Sequence, residues 1–152
     1  MTGKALITGA GKRLGREMAL YLAGRGLDIA VHFNSSSQEA DATAADIRAL
    51  GVKAVTVKAD LTDEADMQGL VPAAIKALGG PLTVLVNSAS IFEYDSIESA
   101  TRESWDRHLE SNLRAPFVLT QAFAAQVPDP EVGGQWNEPT AKALIVNMVD
   151  QR

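Results

Sequence analysis

Eight residues, Thr8-Gly9-Ala10-Gly11-Lys12-Arg13-Leu14-Gly15, separate the apolar run Ala5-Leu6-Ile7 from a stretch where Leu14, Met18, Tyr21 and Leu22 recur at helical spacing. A strand, a turn and an amphipathic helix fit that pattern. Glycines in such a turn let backbone N–H groups approach a pyrophosphate, which then lies at the positive end of the helix dipole. A Walker-type phosphate loop is excluded, because no Gly-Lys-[Ser/Thr] follows at the required spacing. Gly9, Gly11, Lys12, Arg13, Leu14 and Gly15 are therefore candidate cofactor contacts. Arg13 breaks the pattern: many dinucleotide loops have a glycine there, and here a planar guanidinium offers paired donors instead.

The next strand argues for a particular cofactor. Dinucleotide sheets that take NAD usually place an acid at the end of the second strand, where it accepts from the ribose hydroxyls. Val31-His32-Phe33-Asn34 has no acid, and Asp28 stands at the entrance of that strand, the wrong end. Asn34, Ser35 and Ser36 supply amide and hydroxyl donors, and Lys12 and Arg13 supply charge. That set suits a ribose 2′-phosphate and predicts NADP(H) over NAD(H).

These residues need a frame. Strand-like runs at residues 5–7, 29–33, 52–57, 82–86 and 143–148 alternate with helical patterns. Ser36 and Glu39 have capping-box spacing for a helix reaching about residue 50. Met67, Leu70, Val71, Ala74, Ile75 and Leu78 trace one face of a helix that Gly79-Gly80-Pro81 stops. Trp105, Leu109, Leu113 and Phe117 mark a long helix or helix pair, with Trp105 expected in the core. Residues 128–139, rich in proline and glycine, read as a loop. Alternation of this kind predicts an α/β fold, a doubly wound parallel sheet of Rossmann type, forming one dinucleotide-binding domain over residues 1–152. The last strand leaves an apolar edge that proteins usually cover. The sheet is therefore expected to be incomplete on its C-terminal side, with covering chain or a partner to follow.

Composition narrows the classes further. The 152 residues suit one domain, and an apolar fraction of 46% with 22% charged residues is that of a globular protein. A net charge of −5 gives no electrostatic reason to expect nucleic acid or an anionic membrane. With no cysteine, disulfides and thiolate metal sites are excluded, and His32 and His108 form no metal-ligand constellation, so no metal is expected. Neither a signal-like region nor a membrane span is evident, which predicts a cytoplasmic protein.

Four ordered segments carry a resemblance to the short-chain dehydrogenase/reductase family. They are Thr8 to Gly15, Asp60-Leu61, Asn87-Ser88-Ala89-Ser90 and Asn112, matching the family's glycine loop, the Asp after the third strand, the Asn-Asn-Ala-Gly after the fourth and an Asn in the long helix. The resemblance implies that Asp60, Leu61, Asn87, Ser88 and Ala89 contact the cofactor and that Asn112 belongs to the catalytic machinery. Arg13, Ser90, Phe92 and Asn147-Met148-Val149-Asp150 look like pteridine reductases in particular. That likeness assigns substrate contacts to Arg13, Ser90 and Phe92, and to Asp150 a catalytic place where most members have serine. Each role is physically reasonable: a flat ring stacks on an aromatic face, and a carboxyl assists proton delivery.

The family's Tyr-x-x-x-Lys proton-donor pair does not occur in these 152 residues; Tyr21 has Arg25 at that distance, on the first helix. The resemblance therefore implies an NADPH-dependent reductase of dihydropterin or dihydrofolate type whose active site is only begun here, so that the chain alone is expected to be nearly inactive. A carbonyl or acyl-carrier-protein ketone reductase, or a non-catalytic NADP-binding fragment, are the alternatives. The expected partners are a small-molecule substrate and further copies of the chain in a homo-oligomer, with the helix around Trp105 to Phe117 as a candidate interface.

Overall fold

The structure is a computed structural model that describes residues 3–127, 132–133, 138–139 and 142–149. The chain runs β1 (Gly3–Ile7), α1 (Arg13–Gly24), β2 (Leu27–Phe33), α2 (Ser37–Ala49), β3 (Ala54–Lys58), α3 (Glu64–Leu78) and β4 (Val84–Asn87). It continues with α4 (Arg102–Leu109), a π-helical turn (Glu110–Arg114), α5 (Ala115–Ala124), β5 (Val132–Gly133), β6 (Glu138–Pro139) and β7 (Leu144–Asn147). Five strands form a parallel sheet in the order β3-β2-β1-β4-β7. From β1 the order runs outward in both directions, so a crevice opens at the carboxyl ends of β1 and β4, where such sheets take ligands. The doubly wound parallel sheet expected from the sequence is the observed architecture.

Two apolar layers hold the sheet, because successive strand side chains point to opposite faces. Ala5, Ile7, Ile29, Val31, Val84 and Val86 pack with Ala19 and Ala23 of α1 and Ala40, Ala44 and Ile47 of α2. Leu6, Ala30 and Leu85 pack on the other side with Met67, Leu70, Val71, Ala74 and Leu78 of α3 and with Val118, Leu119 and Phe123 of α5. Strands covered on both faces read as continuous apolar runs, which is why the sequence marks them clearly. The side chain of Asp63 caps α3 by accepting from the Asp66 N–H at 3.0 Å, and Gly79, at φ +76°, ends it.

Several expectations need correction. Of the expected α1 face, Met18 and Leu22 pack half-buried against the first layer, but Leu14 and Tyr21 are exposed, and the fully buried positions are Gly15, Ala19 and Ala23. Small residues let α1 approach the sheet; a Cβ on Gly15 would lie 2.4 Å from the Gly9 carbonyl oxygen. The Ser36–Glu39 capping box does not form. Ser36 is the N-cap of α2 without a side-chain bond, and the Glu39 carboxylate instead pairs with Lys12 at 2.6 Å. In the bond to Lys12 both partners are charged, whereas a backbone N–H would offer the carboxylate a neutral donor. Trp105 is 61% exposed rather than core, and Leu109, Leu113 and Phe117 are exposed with it. Ala115, Val118, Leu119 and Phe123 take the inward positions of that helical stretch. Within residues 128–139, read as plain loop, β5 and β6 pair antiparallel. Finally, among the described residues β7 lies at the edge of the sheet and pairs with β4 alone, with Leu144 exposed, as the apolar edge of the sequence predicts.

Candidate functional site

The crevice is built by three turns that leave the carboxyl ends of β1, β3 and β4. In the first, Gly9 takes φ +65°, and a Cβ there would stand 3.0 Å from the Ala89 Cα, so the glycine loop lies directly against the turn after β4. Thr8 fastens the two. Its buried hydroxyl accepts from the N–H groups of Ser88 and Ala89, both at 2.9 Å, while its own N–H donates to the Val86 carbonyl. Gly11 rests over α2, its carbonyl accepting from the Thr43 hydroxyl at 3.2 Å.

Arg13 opens α1 with φ +51°, a left-handed backbone that a side chain occupies at a cost of roughly 1–3 kcal/mol. Lys12 is the N-cap of α1, its side chain makes no cap bond, and no acid stands in the first turn. The first N–H groups of the helix and its positive dipole end therefore have no anion from this chain's own first turn. Leu14 is exposed beside them.

After β3, Asp60 Oδ1 accepts from the Thr62 N–H at 2.9 Å and hydroxyl at 2.7 Å. Those bonds, the backbone one foremost, hold the Asp60 carboxyl below the ordinary carboxylate range, with a further bond from the Asn34 side chain. Leu61 is buried in the core, which leaves only its backbone to serve a ligand. Ser35 and Ser36 follow Asn34 into α2, near Lys12 and its partner Glu39.

Beyond β4, the Asn87 Nδ2 donates to Asn147 Oδ1 at 2.8 Å across the β4–β7 pair, while the buried Asn87 Oδ1 has no hydrogen-bond partner among the described residues. Ser90 is exposed, and Phe92 stands 68% exposed on the segment that follows. Asn112 sits in the π-helical turn and spends its whole amide on this segment: Oδ1 accepts from the Ile91 N–H and Nδ2 donates to the Ile91 carbonyl, each at 2.8 Å. His108 adds a further bond, its Nε2 accepting from the Glu93 N–H at 3.1 Å. Asn112 thus touches a backbone segment of the crevice and holds it. Asp150 lies outside the described residues.

Two residues not assigned a site role from the sequence prove central to this geometry. One is Thr8, read from the sequence as the first residue of the glycine-loop motif but given no contact of its own. The other is His32, 2% exposed, whose Nδ1 accepts from the Gly9 N–H at 3.0 Å and whose Nε2 donates to the Ala59 carbonyl at 3.1 Å. Burial, the largest influence, lowers its proton affinity below that of an ordinary histidine, which keeps the ring neutral.

A family model described as short chain dehydrogenase matches residues 3–134. The chain belongs to the short-chain dehydrogenase family. Among solved structures it is similar to the FolM alternative dihydrofolate reductase of Brucella suis in complex with NADP: 32% identity, TM-score 0.84, 97% of this chain and 57% of that one. It is also 32% identical to the 3-oxoacyl-[acyl-carrier-protein] reductase FabG of Staphylococcus aureus over 127 residues, 84% of this chain and 51% of that protein. An oxidoreductase of Methylorubrum extorquens is 38% identical over 118 residues, 78% of this chain and 47% of the other. The chain spans about half the length of the curated relatives it matches. The parallel sheet, the glycine loop and the turn after β4 are the parts this short-chain dehydrogenase chain brings together. Among the described residues, no three His, Cys, Asp or Glu are grouped to hold a metal, and no helix is long and apolar enough to cross a membrane.

Proposed function

We propose that residues 1–152 form one NADP(H)-binding unit of a pteridine reductase-like enzyme, reducing a dihydropterin- or dihydrofolate-type substrate. The observation that carries the reading is the Thr8 clamp, which sets the glycine loop against the Ser88-Ala89 backbone across the β1–β4 crevice. A dinucleotide laid there would meet the uncapped start of α1 with its pyrophosphate. Its ribose 2′-phosphate would fall to Lys12, Arg13, Asn34, Ser35 and Ser36, with no acid at the end of β2 to repel it. Asp28, the acid at the other end of that strand, accepts from the Lys53 N–H and faces Lys4, far from this task. Asp60, Leu61, Asn87, Ser88 and Ala89 would line the rest, through backbone groups where their side chains are already engaged.

The cofactor supplies a hydride. The chain's own part is to hold the acceptor ring: the exposed Phe92 offers a stacking face, Arg13 offers paired donors beside the cofactor, and Ser90 a hydroxyl. Asn112 holds the segment that presents Ser90 and Phe92, and Asp150 is assigned to proton delivery. The similarity to an alternative dihydrofolate reductase over 97% of this chain supports the pterin-like class. A ketone reductase is the second reading, favoured by the similarity to FabG.

The test is a fluorescence titration of the chain with NADPH and with NADH, followed by dihydrofolate added to the NADP-loaded chain. NADPH is expected to bind at least about 10-fold more tightly, and Phe92→Ala to weaken dihydrofolate while sparing the cofactor. Tighter NADH binding would overturn the cofactor assignment; dihydrofolate binding unmoved by Phe92→Ala would favour the ketone reading.

A further inference from the structure

The imidazole of His32 lies beneath the crevice rather than in it, and both of its ring nitrogens are committed. Gly9 has an N–H to give, so Nδ1 must be bare; Ala59 has a carbonyl to receive, so Nε2 must carry the proton. The backbone of the same residue makes another link, its carbonyl accepting from the Ala10 N–H at 3.0 Å. One residue of β2 thus grips two consecutive N–H groups of the glycine loop and, through its other edge, the residue preceding Asp60.

We propose that His32 is a positioning residue, which sets the Gly9 backbone at the mouth of the crevice and ties the glycine loop to the Asp60 turn. The placement matters because Gly9 sits at φ +65° against Ala89, with little room to move, so a shift of its amide would reach the wall on which the clamp of Thr8 closes. A histidine that merely filled space would be replaceable by any side chain of similar size. A histidine that positions is replaceable only by one that keeps an acceptor at the δ position. Asparagine does so, with Oδ1 where Nδ1 stands. Glutamine reaches Ala59 but leaves the Gly9 N–H without an acceptor, and phenylalanine leaves both groups without a partner.

The inference rests on the cofactor reading above, and the experiment separates the two. In the free chain, nitrogen-15 NMR of the imidazole is expected to show the Nε2–H tautomer, and the Gly9 amide is expected to exchange slowly in wild type and His32→Asn. In His32→Gln and His32→Phe that amide exchanges faster, and the dissociation constants for NADPH and NADH both rise on the order of 10-fold, the size of one lost buried hydrogen bond. His32→Asn restores affinity to within about 3-fold. An Nδ1–H tautomer, or Gln and Phe variants that match wild type in Gly9 exchange, would overturn the proposal. A wild-type chain that binds neither dinucleotide would overturn the cofactor reading, and the tautomer and Gly9 exchange would still decide for or against the latch.

Discussion

Arg13 shows how one side chain can be kept at a conformational cost. Its φ of +51° is the region that glycine enters freely and other residues enter rarely. Its identity was plain in the sequence; its strain was not, because the left-handed turn comes from the path between β1 and α1. Backbone strain of this kind persists where the surrounding structure dictates it, and it gathers at functional sites. Arg13→Gly is expected to leave stability unchanged or raise it by about 1 kcal/mol in urea unfolding, while weakening dihydrofolate binding to the NADP-loaded chain. A clear loss of stability would show that the guanidinium holds the fold instead. Lys12 carries a similar lesson. Its sequence position offers a charge to a phosphate, but in the structure that charge is engaged by Glu39, so a 2′-phosphate must compete with a carboxylate for it.

Elements meet at the crevice through a few polar bonds, and Thr8 carries two of them. Removing its hydroxyl while keeping its shape leaves the N–H groups of Ser88 and Ala89 without their acceptor. Thr8→Val is expected to lower stability by about 2 kcal/mol, read from the urea midpoint, whereas Thr8→Ser retains the acceptor and stays near wild type. Equal behaviour of the two variants would argue that packing, not the hydroxyl, joins β1 to the turn after β4. At this scale the sequence was legible where hydrophobicity is strong, as in α3, whose inward face is Met67, Leu70, Val71, Ala74 and Leu78. It was only half legible in α1, where Met18 and Leu22 pack against the core but the buried centre of the face is Gly15, Ala19 and Ala23. Small residues carry little hydrophobic signal, yet they decide how near a helix lies to a sheet.

Across the whole molecule, the exposed apolar side chains of Trp105, Leu109, Leu113 and Phe117 follow one another at intervals of four along α4, the π-helical turn and α5. We propose that the chain forms a homo-oligomer in which a second copy covers this stripe. Trp105 and Leu113, each more than half exposed, can be changed without opening the core. Leu113→Glu is expected to shift the protein to a smaller species in sedimentation equilibrium with stability little altered. An unchanged mass would place the interface elsewhere.

By itself, the sequence determined the alternation of strands and helices, the parallel sheet and the identity of the glycine loop, because burial on two faces and strand-to-helix turns both leave a local imprint. It also placed Asn34, Ser35, Ser36, Asp60 and Asn112 near the carboxyl ends of strands or on the following helix. The tertiary structure alone decided which groups are already engaged: Glu39 on Lys12, Asn112 on Ile91, and Thr8 and His32 on the backbone of the turns. Those bonds join residues distant in sequence, 81 positions apart for Thr8 and Ala89. Spacing along the chain encodes a period and a local turn. It does not encode which hydroxyl or imidazole a folded turn will find beneath it.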